Sequence, residues 1–176
     1  TITGLPKHII NNNSHSNYHE RLSSVGIART DVEIRIVSDD GEPRKIDEVG
    51  EIIVRGDVVM EGYWNNLEAT ANSIRDWWLW TGDVGAIDSE GFLTLKDRSK
   101  DLIISGGTNI YPREIEEILL KHPSVYECAV VGRPHADWGE EIIAFITVHP
   151  DAFVTKEELN ELCLEHIARF KRPKDY

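Results

Sequence analysis

The sequence is poor in cysteine, in basic charge and in long apolar runs, and each shortage removes a class of function. Its two cysteines, Cys128 and Cys163, stand thirty-five residues apart with no paired-Cys or Cys/His spacing. Neither a disulfide framework nor a zinc site is indicated, and a reducing cytoplasm fits best. Nineteen Lys and Arg against thirty-one Asp and Glu leave a formal net charge of −12. That balance repels a phosphate backbone, so nucleic acid is not an expected partner. No apolar run approaches the roughly 20 residues of a bilayer-spanning helix. The opening "TITGLPKHIINNNSHSNYHERL" has no signal-peptide plan of charge, apolar core and small-residue cleavage site. The expectation is a soluble cytoplasmic chain with no transmembrane segment.

What is present is enough for a packed fold. At 176 residues and 40% hydrophobic content the chain can bury one core or two small ones. The polar start up to about Leu22 lacks periodicity and reads as a loop or frayed end, with order beginning near Val25. "DVEIRIV" alternates Val32, Ile34 and Ile36 against Glu33 and Arg35 and runs into the turn signal "SDDGEP", which predicts a strand entering a hairpin. "VGEIIVRG" and "GFLTLKD" read as further strands, with a short helix at "NLEATANSIRD".

After Arg98 the character changes. "YPREIEEILLKHPSV" has Pro112 at a first helical position, Ile115, Ile118 and Leu119 at helical spacing, and Pro123 beyond the end. "CAVVG" and "EIIAFITVH" read as strands, the second too apolar to be solvated along a whole face. In "TKEELNELCLEHIARF", Thr155 and Glu158 form a capping box ahead of Leu159, Leu162 and Ile167. The predicted fold class is α+β: a mainly β first part, partly barrel-like, followed by a small α+β domain with a central sheet flanked by helices. The boundaries expected are 1–96 for the first part, 97–101 for the joint and 102–176 for the second.

Taken singly, the chemistry-bearing motifs are weak. "TGDVG" sets Asp83 between glycines just ahead of a strand, where a carboxylate can accept two hydrogen bonds from a ribose diol. Gly-Asp is also a common turn. Asp97, Arg98, Lys100 and Asp101, in isolation, would be a solvated turn with exposed ion pairs. "ISGGTNIYP" puts Gly106 and Gly107 together after an apolar strand, where a simple tight turn would ask for one glycine and exposed amides could cradle an anion. His122, His135, His149 and His166 are scattered without acidic partners at triad-like or metal-like spacing, and Trp77, Trp78 and Trp80 read as packing.

Taken in order, the motifs are far more specific. "GYW" at Gly62, "TGDVG" at Thr81, "DRSKDLIISGGTNIYPREIE" at Asp97, "HPSVYECAVVGRPHADWGEE" from His122 and "FKRPK" at Phe170 resemble the C-terminal part of the acyl-CoA synthetases of the adenylate-forming (ANL) superfamily, of the fatty-acyl- or aryl-CoA ligase type. The likeness runs from about Val25 to the last residue. It implies that Asp83 holds the ribose hydroxyls of ATP and that Arg98 reaches the ribose and phosphates. It implies that Lys100 is the hinge about which the C-terminal domain turns between an adenylate-forming and a thioester-forming arrangement. Ser105, Gly106 and Gly107 match the loop lining the pantetheine channel of coenzyme A.

The implied reaction activates a carboxylic acid with Mg-ATP to acyl-AMP and pyrophosphate, then passes the acyl group to coenzyme A. The Ser/Thr/Gly-rich phosphate loop, the motif with the Mg-binding glutamate and the terminal Pro-Lys-x-x-x-Gly-Lys motif are not in this sequence. The resemblance therefore implies a C-terminal piece, inactive by itself, with no cofactor tightly bound and no metal ligand of its own. Apolar surface bared at such a cut would allow a homo-oligomer. Competing readings are an adenylation module that loads a carrier protein, for which "LIISGGTNIYPREIE" is the less fitting hinge loop; an oxidative luciferase; and a non-catalytic binding module that retains the fold.

Overall fold

A computed structural model describes residues 1–176, and the chain packs as two compact units, Thr1–Ser99 and Lys100–Tyr176. The first unit opens with β1 (Thr3–Gly4), α1 (Lys7–Ile10), α2 (Tyr18–Ser23) and β2 (Ile27–Ala28), β1 and β2 pairing antiparallel. This start is folded, contrary to the loop expected from its polarity. The helices are four and six residues long and bury no residue, too short to express a 3.6-residue period in sequence. Side-chain ties do the anchoring instead. Arg21 of α2 pairs with Glu90 at 2.6 Å and lies over the Phe92 ring, and Tyr18 donates its hydroxyl to the Ile10 carbonyl.

The main sheet follows: β3 (Val32–Val37), β4 (Gly50–Gly56), α3 (Leu67–Ser73), β5 (Ile74–Arg75), β6 (Trp78–Ile87) and β7 (Leu93–Arg98). β4 lies between β3 and β6, and the long β6 pairs β5 with its first residues and β7 with its last. All these pairings are antiparallel, and no sheet closes into a barrel. The alternation of "DVEIRIV" works as predicted, with Val32, Ile36, Ile52, Val54 and Leu93 forming one buried cluster. Each such side chain contributes about 1.5–3 kcal/mol by leaving water. The opposite face is also covered, because Ile53 and Val37 pack on Trp78. Arg35 and Arg55 lie over the Trp78 ring and both bond Glu33, so the polar residues of the pattern form a lid on the indole. Trp78 and Trp80 are packing residues as expected, whereas Trp77 is 85% exposed in a turn at φ 68°.

The second unit contains β8 (Ile103–Ser105), β9 (Thr108–Ile110), α4 (Pro112–Leu119), β10 (Val125–His135), β11 (Gly139–Val148) and α5 (Lys156–His166). Its sheet has the order β10-β11-β8-β9, all antiparallel. Both helices join one core with it: Ile115 and Leu119 from α4, Leu159 and Cys163 from α5, and Ile103, Ile110, Val130, Ile142 and Ala144 from the strands. Pro112 stands at the helix start, and the Thr155 and Glu158 capping box closes with both reciprocal bonds. On β11, Ile143 is buried on the face away from this core while Phe145 is exposed, so one face is only partly solvated. The chain end runs along β11, with Lys174 N–H on the Ile142 carbonyl and Ala144 N–H on that of Asp175.

Candidate functional site

Asp83 does not precede a strand; it lies within β6. The reason that "TGDVG" looks like a turn is a bulge. Between the pairs Glu51↔Val84 and Ile53↔Trp80, one residue of β4 faces three of β6, Thr81 to Asp83. Gly82 sits at its centre with φ +73°, a conformation that favours glycine. Thr81 donates its hydroxyl to the Ile52 carbonyl at 2.7 Å and accepts the Asp83 N–H at 3.1 Å. Glu51 Oε1 accepts the Gly82 N–H at 3.1 Å.

Asp83 stands opposite Arg98 on β7, and the guanidinium Nε donates to Asp83 Oδ1 at 3.1 Å. An irregularity within the β6–β7 ladder, one extra residue at Lys96 between Leu95 and Asp97, shifts the register so that Arg98 and not Asp97 faces Asp83. The side chains remain 41% and 54% exposed, so the pair adds well under about 1 kcal/mol to stability. Its geometry suits ligand contact better: a carboxylate and a fork of N–H donors, held side by side at a strand end and open to solvent, can bind a diol and an anion together. Ser99 follows at once and donates its hydroxyl to the Gly82 carbonyl at 3.2 Å. Lys100 is exposed in the 3-10 turn Ser99–Asp101.

Ser105, Gly106 and Gly107 lie in the second unit, in the β8–β9 hairpin. Ser105 pairs Thr108, and the two glycines between them have φ +57° and +76°. A two-residue hairpin of this kind needs positive φ at both positions. The expectation that a tight turn asks for only one glycine is therefore corrected. Nor are the amides all open to an anion, since Gly106 N–H donates to the Trp138 carbonyl at 2.8 Å. Trp138, which sequence patterning did not single out, joins Ser105, Gly106, Thr108, Phe170 and Lys174 around a cavity of about 370 Å³. Gly107 is at the tip, with open space beside it.

The two cysteines are apart from these features. Burial pushes the Cys128 thiol up to about 11 and raises that of Cys163, which suits core residues and not nucleophiles. No helix is long and apolar enough to cross a membrane.

Comparison with known proteins agrees with both halves of this picture. Residues 4–64 match the model of AMP-binding enzymes, and residues 114–176 match that of the AMP-binding enzyme C-terminal domain. The chain is 43% identical over 153 residues to a 2-succinylbenzoate–CoA ligase of Geobacillus kaustophilus, covering 87% of this chain and 31% of the relative. It is 42% identical over 154 residues to the long-chain-fatty-acid–CoA ligase FadD13 of Mycobacterium tuberculosis, covering 88% and 30%. The o-succinylbenzoate CoA synthetase MenE of Bacillus subtilis, solved with the acyl-adenylate intermediate OSB-AMP, superposes with TM-score 0.85 at 42% identity, over 91% of this chain and 33% of that one. The chain thus spans about a third of the length of the relatives it matches. Matches to the AMP-binding enzymes and then to their C-terminal domain, in that order along one chain, with the same backbone course over nine-tenths of it, make this chain a member of the AMP-binding, adenylate-forming enzyme family.

Proposed function

We propose that the chain serves an ATP-dependent acid–thiol ligase, contributing the ribose-binding corner and the mobile C-terminal domain. In the first step the substrate carboxylate attacks the α-phosphorus of Mg-ATP, forming acyl-AMP and releasing pyrophosphate. In the second, the thiol of coenzyme A attacks the acyl carbonyl, giving the thioester, AMP and a proton. The acid is of the aryl or fatty class, by analogy with the relatives' substrates.

The observation that carries this reading is the Asp83–Arg98 pair, solvent-open and held on adjacent strands beside a bulge in β6. Asp83 accepts the ribose hydroxyls, and Arg98, while keeping Asp83 oriented, offers its remaining donors to ribose and phosphate. Lys100, two residues on, is the pivot at the junction of the two compact units. Two steps at one carbonyl motivate a pivot: one set of groups surrounds the departing pyrophosphate and another later admits the thiol. Ser105, Gly106 and Gly107 line the approach of the pantetheine arm, beside the cavity that Trp138 and Phe170 help to form.

The test is an acid panel run on a full-length ligase carrying this chain, with acid-dependent pyrophosphate release and CoA-dependent AMP release followed separately. At least one aryl or fatty acid should support both. If pyrophosphate and AMP release stay at background for every acid, the reading fails. AMP release that depends on a carrier protein or an amine, and never on coenzyme A, would replace coenzyme A as the acyl acceptor.

A further inference from the structure

The bulge in β6 removes two backbone N–H groups, those of Gly82 and Asp83, from regular pairing with β4. Both are satisfied by side chains. Glu51 Oε1 takes the first at 3.1 Å, and Thr81 Oγ1 takes the second at 3.1 Å while donating to the Ile52 carbonyl at 2.7 Å. These bonds are partly buried, so the donors would lack full access to replacement water. Without acceptors the bulge has a cheap relief, a slip toward the regular ladder, and a one-residue slip turns a side chain to the other face of the sheet. Asp83 is the side chain such a slip would misdirect.

We infer that Glu51 and Thr81 are positioning residues: they clamp the bulge and so fix the direction in which the Asp83 carboxylate meets the nucleotide ribose. This rests on the reading of Asp83 as the ribose-binding group. In this role both residues act through Asp83 and not on the nucleotide directly. Glu51 acts as a hydrogen-bond acceptor and not as a charge, since its partner is a backbone amide. Glu51→Gln keeps that acceptor and Glu51→Ala loses it; Thr81→Ser keeps the hydroxyl and Thr81→Val loses it at nearly constant shape.

The experiment measures KM for ATP, KM for the acid and kcat of adenylation in the full-length ligase, with ATP and with 2′,3′-dideoxy-ATP. Glu51→Ala and Thr81→Val should each raise KM for ATP about tenfold and leave KM for the acid unchanged. Glu51→Gln and Thr81→Ser should recover most of the loss. With the dideoxy nucleotide, which has no diol to bind, the Ala and Val variants should match the parent. Equal losses on both nucleotides, or a Gln variant as impaired as the Ala variant, would overturn the clamp. If Glu51→Ala does not fold, Thr81→Val is read by the same criteria. Asp83→Ala separates the two levels: if it leaves KM for ATP unchanged, the ribose reading fails, and if it raises KM while Glu51→Ala and Thr81→Val do not, the clamp alone fails.

Discussion

Arg98 reaches across the end of the β6–β7 ladder to Asp83, Nε to Oδ1 at 3.1 Å, and both side chains stay open to solvent. A pair so exposed is worth little to the fold, and on the proposed ribose-binding role its value lies in what it presents. Arg98→Lys should therefore lower kcat/KM for ATP by roughly 10- to 100-fold, because an ammonium cannot bond the carboxylate and a phosphate through one planar fork. The melting temperature should move by no more than about 2 °C. Steady-state kinetics with differential scanning calorimetry on the same preparation checks both. A large fall in melting temperature with unchanged kinetics would show the pair to be structural.

Lys100 occupies a 3-10 turn whose first residue, Ser99, is tied to the Gly82 carbonyl. If this turn is the pivot of a two-step reaction, restricting it should separate the steps. Lys100→Pro fixes φ near −65° and should impair one half-reaction much more than the other. Adenylate formation and thioester formation, each timed in single-turnover experiments, give the comparison. Matched losses in the two would argue against a hinge.

How much of this was legible in the sequence depended on the length scale of the feature. The strand at Val32, the helix at Pro112 and the capping box at Thr155 carry their instructions in consecutive residues, and all three form as read. The helices at Lys7 and Tyr18 do not, because their ties are not local to either helix: Tyr18 bonds the Ile10 carbonyl, and Arg21 pairs with Glu90, sixty-nine residues away. The same holds at the site. Asp83 and Arg98 could be singled out, but Glu51 could not: it meets Gly82 only because β4 and β6 pair out of step. A glutamate thirty-one residues upstream carries no local mark of that role. Both glycines in the hairpin were visible, but a simple turn was expected to ask for one, since only the turn geometry shows that each needs positive φ.

Those glycines make unequal predictions. At Gly106 an added Cβ would come within 2.8 Å of the Trp138 ring in addition to the cost of φ +57°, whereas at Gly107 only the backbone cost applies, at φ +76°. Gly107→Ala should thus destabilise by about 1 kcal/mol and Gly107→Asn by less, because asparagine tolerates the left-handed region. Gly106→Ala should cost more than Gly107→Ala, by displacing Trp138 from its present place. Denaturant midpoints give the order of the three variants. Finding Gly107→Ala the more damaging would mean that the hairpin turn differs from the one described.

Acid should loosen the second unit through a carboxyl that the fold holds ionised. The Thr155 backbone N–H, and then its hydroxyl, lower the Glu158 pKa below its ordinary value. The folded pKa being the lower, this group's contribution is complete above the unfolded-state value of about 4.3 and is lost as pH falls through the folded value. Glu158→Gln removes the titration while leaving an amide acceptor. The difference in melting temperature between parent and variant should accordingly be level from about pH 8 to 5 and shrink below about pH 4. Thr155→Ala, which removes the cap at every pH, should instead cost about 1 kcal/mol throughout the neutral range. Calorimetric melts at stepped pH distinguish the cases, and a parent–variant difference that grows on acidification would reverse the assigned sign.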